Sequence, residues 1–148
     1  MWSNKEIELL SIKELVEKIK VEKHLIEGIT LLGGEPLDQF DELLDLLIET
    51  RKIGLSAMVF TGYEMDEIIE RKLTSLLNNT DILITGRYEQ KKRTLNHQWI
   101  GSTNQEIHFL TERYKSYTSV NANYVEVVID EYGTLTYLGF PSKNLQLH

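Results

Sequence analysis

The stretch GITLLGGEPLDQF, residues 28–40, decides how the rest of the chain is read. An apolar, β-branched run meets a glycine pair, then an acid, a proline and an amphipathic helical pattern. Glycines between a strand and a helix commonly cradle phosphate on backbone N–H groups. Here no lysine and no Ser/Thr follows where a phosphate loop needs them, and the residue presented is Glu35. A carboxylate repels phosphate but pairs with an ammonium group, which brings several donors and one positive charge. A plainer explanation stands beside this one: glycines for a tight turn, and an acid facing the positive end of the next helix.

The flanking pattern repeats the motif's layout. Residues 29–32 form a short apolar run that fits a strand buried on both faces. Pro36 sits where a helix starts, and Phe40, Leu43, Leu44, Leu47 and Ile48 share one face to about residue 51, with Gly54 as the stop. Residues 55–60 read as the next strand. TGYEMDEIIERKLTSLL, residues 61–77, reads as one helix with Ile68, Ile69, Leu73, Leu76 and Leu77 inward. Residues 81–84 give a third strand. Upstream, Ser11 and Glu14 have capping-box spacing, and Ile12, Leu15, Val16 and Ile19 mark a helix to about residue 20. This β-α-β-α-β order implies parallel strands with right-handed crossovers.

Each strand ends in a glycine-bearing turn: Gly33-Gly34-Glu35, Thr61-Gly62-Tyr63 and Thr85-Gly86-Arg87. In such sheets ligands sit beyond the carboxyl ends of the strands, so the three turns are expected on one rim. Thr61, Gly62 and Tyr63 suit a ribose or an adenine ring, although a glycine after a strand is more often only a turn. The acids Asp38, Asp41, Glu42, Asp66 and Glu67 are most simply explained by the helix dipole and solubility. After Gly86 the periodicity breaks. Residues 88–103 are polar, and with Arg87 they carry Lys91, Lys92, Arg93 and His97 as a basic group, ordinary solvated surface or a face for a carboxylate or an acidic partner. A helix is expected over 105–114. Two alternating runs joined at residues 130–133 then signal a hairpin, and the tail 141–148 reads as loose.

Bulk composition narrows the function. A chain of 148 residues with 41% hydrophobic content fits a single domain with a real core. Its formal charge of -7 argues against nucleic acid or an anionic membrane as main partner. No run approaches the ~20 apolar residues of a membrane span, and the first residues lack a signal-peptide layout, so a cytoplasmic protein is expected. There is no cysteine, which removes thiolate nucleophiles and cysteine-held metal clusters together. His24, His97, His108 and His148 show no metal-ligand spacing, and no Ser/His/Asp arrangement can be argued.

Taken together, LLGGEPLDQ, MVFTGY, DILITGRYEQKKRTLNHQWIGSTNQ and VEVVIDEYGTLTYLGFP, in this order and spacing, resemble the radical S-adenosylmethionine activating enzymes. The nearest branch by resemblance is the activating protein of anaerobic ribonucleotide reductase, with pyruvate formate-lyase-activating enzyme a more distant relative. The likeness runs from about residue 2 to 141. It implies an α/β fold, a partial (β/α) barrel of parallel strands with helices outside and a C-terminal hairpin, in a single domain across 1–148. It also implies S-adenosylmethionine as cofactor, with its amino group received by Gly33, Gly34 and Glu35 and the later strand ends contributing Thr61, Gly62 and Arg87. Related enzymes often carry an aspartate where Thr85 stands. The implied partner is a glycyl-radical enzyme such as anaerobic ribonucleotide reductase.

One departure is large. The family holds a [4Fe-4S] cluster on a C-x-x-x-C-x-x-C loop after its first strand, and this sequence opens at what resembles the tryptophan beyond that loop, Trp2, with no cysteine anywhere. Cluster ligation needs thiolates. The chain as written is therefore expected not to cleave S-adenosylmethionine, and no catalytic residue or metal ligand is assigned. Truncation and natural loss of the loop are both open, as is a non-catalytic nucleoside-binding or regulatory module on the same fold. Either way the strand at 29–32 is expected at a sheet edge, where self-association or cover by the N-terminal segment would follow.

Overall fold

The computed structural model describes residues 10–117 and the two strands Glu126–Ile129 and Leu135–Leu138. Helix α1, Ile12–Glu22, starts on the expected capping box: the Ser11 hydroxyl accepts from the Glu14 N–H, and the Glu14 carboxylate accepts from the Ser11 N–H. These bonds satisfy groups that a helix start otherwise leaves open. Only Val16 of α1 is fully buried, so this helix lies over the core rather than within it.

The main sheet has four strands in the order β1 (Gly28–Leu31), β2 (Ser56–Phe60), β3 (Ile82–Thr85) and β4 (Glu106–Phe109). The first three are parallel, as expected, with Val59 opposite Leu31 on one side and Leu83 on the other. Alternation puts Ala57, Val59 and Leu83 on one face. Helices α2 (Phe40–Lys52), α3 (Met65–Glu70) and α4 (Ser75–Asn79) supply Leu43, Leu47, Ile68 and Leu76 to the same cluster. Leu37, from the short 3-10 turn Pro36–Gln39 ahead of α2, completes it. Fully burying one such side chain is worth roughly 1.5–3 kcal/mol, so this cluster fixes the sheet's position against its helices.

Three expectations are corrected. The first strand is not buried on both faces: Thr30 is exposed, and Leu32 lies beyond the strand at 68% exposure; among the described residues β1 pairs with β2 alone. The segment 61–77 is two short helices rather than one. Lys72 takes a left-handed backbone (φ 59°) after α3, which turns Leu73 back so that its N–H reaches the Ile68 carbonyl. Ile69, next to the buried Ile68 on α3, points outward at 53% exposure. Residues 105–114 hold no long helix. They form β4, antiparallel to β3, and a 3-10 turn at Glu112–Tyr114. The N–H and C=O groups along β3's second edge need partners, and β4 provides them where a helix would not. The sheet is open, and its parallel order stops at three strands.

Residues 88–103 are better built than a loose loop. Arg93 and Ser102 form an isolated antiparallel bridge, flanked by bonds from the Thr94 N–H to the Gly101 carbonyl and from the Thr103 N–H to the Lys92 carbonyl. The expected hairpin is present as β5 (Glu126–Ile129) paired antiparallel with β6 (Leu135–Leu138). Its turn, the tail and Trp2 lie outside the described residues.

Candidate functional site: the strand-end rim

The three glycine-bearing turns do meet. Glu35 stands at the start of the 3-10 turn, where its Oε1 accepts from the Leu37 N–H at 3.0 Å. The same oxygen accepts from the Thr61 hydroxyl at 2.7 Å, and Oε2 accepts from the Gly62 N–H at 2.7 Å. One carboxylate thus ties the end of β1 to the end of β2. The third turn joins through the Gly86 N–H, which donates to the Tyr63 carbonyl at 3.0 Å. Glycine is favoured at these points for different reasons. Gly33, Gly34 and Gly86 have φ of 91°, 56° and 100°, a region that side-chained residues rarely adopt. Gly62 lies so close to the carboxylate that an added Cβ would sit 3.3 Å from Glu35 Oε2.

Beside this joint is an ionic and aromatic cluster. The Arg87 guanidinium forks onto Glu67 at 2.8 and 2.9 Å. That hydrogen-bonded pairing holds the Glu67 carboxyl at about 2, well below its ordinary range, and raises Arg87. Arg71 stacks over the Tyr63 ring at 4.4 Å, with Arg87 at 5.9 Å from the same ring centre. The Tyr63 hydroxyl donates to Asp38 at 2.8 Å, which pushes the phenol's pKa up. Asp38 and Glu67, read from the sequence only as first-turn acids, therefore position rim residues.

The segment GSTNQ, residues 101–105, braces the third turn. Gln105 donates to the Gly86 carbonyl and accepts from the N–H groups of Gly101 and Ser102; Asn104 donates to the Arg87 carbonyl. The buried Ser102 hydroxyl accepts from the Glu89 N–H. His108 of β4 lies 2.9 Å from the Thr85 hydroxyl. In the sequence, GSTNQ stands out as the end of a motif that carries the resemblance, while the individual roles of its side chains do not.

The residues expected at a cofactor site divide into two groups. Gly33, Gly34, Glu35, Thr61 and Gly62 converge, and Arg87 stands next to them, engaged with Glu67. Gly33 and Gly34 face open space, since an added Cβ at either meets nothing within 4 Å. A carboxylate offers about four lone-pair sites. Three donors reach Glu35, which leaves room for one more. Among the described residues no group of His, Cys, Asp or Glu is placed to hold a metal ion.

A protein-family profile described as a 4Fe-4S single cluster domain matches residues 1–108. The chain belongs to the 4Fe-4S single cluster domain family. Individual relatives agree. An anaerobic ribonucleoside-triphosphate reductase-activating protein of Enterobacteria phage T4 is 32% identical over 101 residues, covering 66% of this chain and 61% of that protein. The protein of the same name in Escherichia coli K12 is 32% identical over 90 residues, 57% of this chain and 56% of its own length. That of Pasteurella multocida is 30% identical over 105 residues, 67% and 66% respectively. The chain spans less than two thirds of the length of these relatives. No solved structure matches it. The family's cluster does not fit the residues present, because the 148-residue sequence contains no cysteine to supply thiolates. Among the described residues, no helix of this family member is long and apolar enough to cross a membrane.

Proposed function

We propose that this chain is the S-adenosylmethionine-binding domain of an activating protein for anaerobic ribonucleotide reductase, and that without thiolates it does not itself cleave the cofactor. The single observation carrying this reading is the Glu35 joint: two open, left-handed glycines lead into a half-buried carboxylate that is held by the next strand end and keeps one acceptor site. Gly33, Gly34 and Glu35 would receive the cofactor's amino group, with Thr61, Gly62 and Arg87 beside the remainder. Arg87 must share or release Glu67 to meet a ligand carboxylate. When bound, S-adenosylmethionine would supply the family's radical chemistry; this chain's residues would supply only binding and orientation.

The same reading makes the open sheet the described part of a partial (β/α) barrel within one domain over 1–148, in a cytoplasmic protein. Its partner is a glycyl-radical enzyme of the ribonucleotide reductase kind. The β1 edge, free among the described residues, is where self-association would occur. The absence of cysteine favours a second use of the rim, as a non-catalytic nucleoside-binding or regulatory module. Anaerobic incubation with iron, sulfide, a strong reductant and S-adenosylmethionine separates the two halves of the proposal. Retention of S-adenosylmethionine on the protein with no 5′-deoxyadenosine formed is expected. Release of 5′-deoxyadenosine would refute the non-cleaving half, and no retention would refute the binding half.

A further inference from the structure

The arm at 88–103 meets the rim only at its base, and beyond it the segment is well organised. Its two limbs are cross-bonded at Arg93–Ser102, Thr94–Gly101 and Lys92–Thr103. Its base is fastened to the third strand end by Asn104 and Gln105. At the far end Trp99 holds a left-handed backbone, φ 71°, which is costly for an aromatic residue and persists only where surroundings enforce it. The enforcement is visible. The Trp99 ring stacks on Tyr117 at 5.1 Å, Tyr117 leans on Phe109 of β4, and the Tyr117 hydroxyl donates to Gln98.

This rigid arm displays an unusual surface. Leu95, at its tip, is 76% exposed. Lys91 and Arg93, on the limb that leads to it, are both exposed, and among the described residues neither has a carboxylate at ion-pair distance; Lys92 is paired with Glu89. Three cations and one acid lie between residues 88 and 103, in a chain whose formal charge is -7. The arm is therefore net positive, against a net negative remainder.

We propose that this arm docks an acidic segment of a partner protein, with Leu95 entering an apolar recess and Lys91 and Arg93 pairing with carboxylates. Preorganisation lowers the ordering cost of binding, and an exposed apolar side chain on the same arm as two exposed cations is a suitable anchor. An acidic protein segment is the occupant favoured over a nucleic acid or an anionic membrane. Either of those long polyanions would face the acidic body as well as the arm, whereas a short segment meets the arm alone. The inference goes beyond the cofactor reading and does not depend on it.

The test is fluorescence anisotropy at low salt with a dye-labelled peptide of repeated Glu-Glu-Leu. The wild-type chain should bind it. The pair Lys91→Glu and Arg93→Glu should weaken binding by about 10-fold or more, and Leu95→Ser by about 3-fold. The pair Lys20→Glu and Lys52→Glu makes the same change in net charge on α1 and α2, and should change binding by less than about 2-fold. No binding by the wild-type chain would overturn the proposal. So would equal losses in both charge-reversed pairs, or tighter binding to a single-stranded oligonucleotide or to phosphatidylserine vesicles than to the peptide.

Discussion

Glu35 accepts a hydrogen bond from the Gly62 N–H at 2.7 Å across 27 positions of sequence, and this bond joins two strand ends into one rim. Its second oxygen is shared between Thr61 and Leu37. The carboxylate thus shapes the site before any ligand arrives. Replacing it by alanine leaves two N–H groups without their side-chain acceptor, and should cost about 2–3 kcal/mol in urea unfolding. Glu35→Gln keeps one carbonyl acceptor and should cost about 1 kcal/mol.

Acid should expose the Arg87–Glu67 pairing. Glu67 is held at about 2, below its ordinary 4.5, because Arg87 bonds to the ionised form. The unfolded chain therefore takes up this proton at higher pH than the folded one. The stability that Glu67 contributes is complete above about 4.5 and is lost as the pH falls towards 2. Thermal unfolding of wild type against Glu67→Gln should show a gap near neutral pH that closes over this window. A gap of constant size would contradict the pairing.

Gly28 is a packing glycine. A Cβ there would lie 2.0 Å from the Ser56 hydroxyl oxygen and 2.5 Å from the Ser56 carbonyl oxygen. Gly28→Ala should destabilise the chain by about 3 kcal/mol or fold poorly. Adding Ser56→Ala should not rescue it, because the backbone collision remains.

Asp81 performs a similar joining role at the opposite end of the sheet. Its buried carboxylate accepts from the Ala57 N–H at 2.9 Å and from the Thr111 hydroxyl at 2.7 Å. Asp81→Ala should cost about 2–3 kcal/mol in denaturant unfolding, and Thr111→Val about 1 kcal/mol.

Much of this arrangement is legible from glycine punctuation. The turns at Gly33-Gly34, Gly62 and Gly86 mark three strand ends and thereby the rim. What joins them is not legible, since a first-turn acid such as Glu67 or Asp38 looks the same in sequence whether it faces water or binds a residue 20 or more positions away. The break at Lys72 carries no glycine or proline, and the apolar period runs straight through it. The segment Glu106-Ile107-His108-Phe109 fits both a helical and an alternating pattern, and only the open edge of β3 decides for a strand. Cysteine absence, by contrast, is plain from the sequence and limits the chemistry more than any contact does.

Calorimetry with S-adenosylmethionine and 5′-methylthioadenosine, which lacks the amino-acid end, tests the central claim most directly. Wild type should bind S-adenosylmethionine about 10-fold or more tightly than methylthioadenosine, and Glu35→Ala should abolish that preference. Equal affinity of the wild-type chain for the two compounds, or a preference that survives Glu35→Ala, would contradict a rim built around Glu35 to receive an ammonium group.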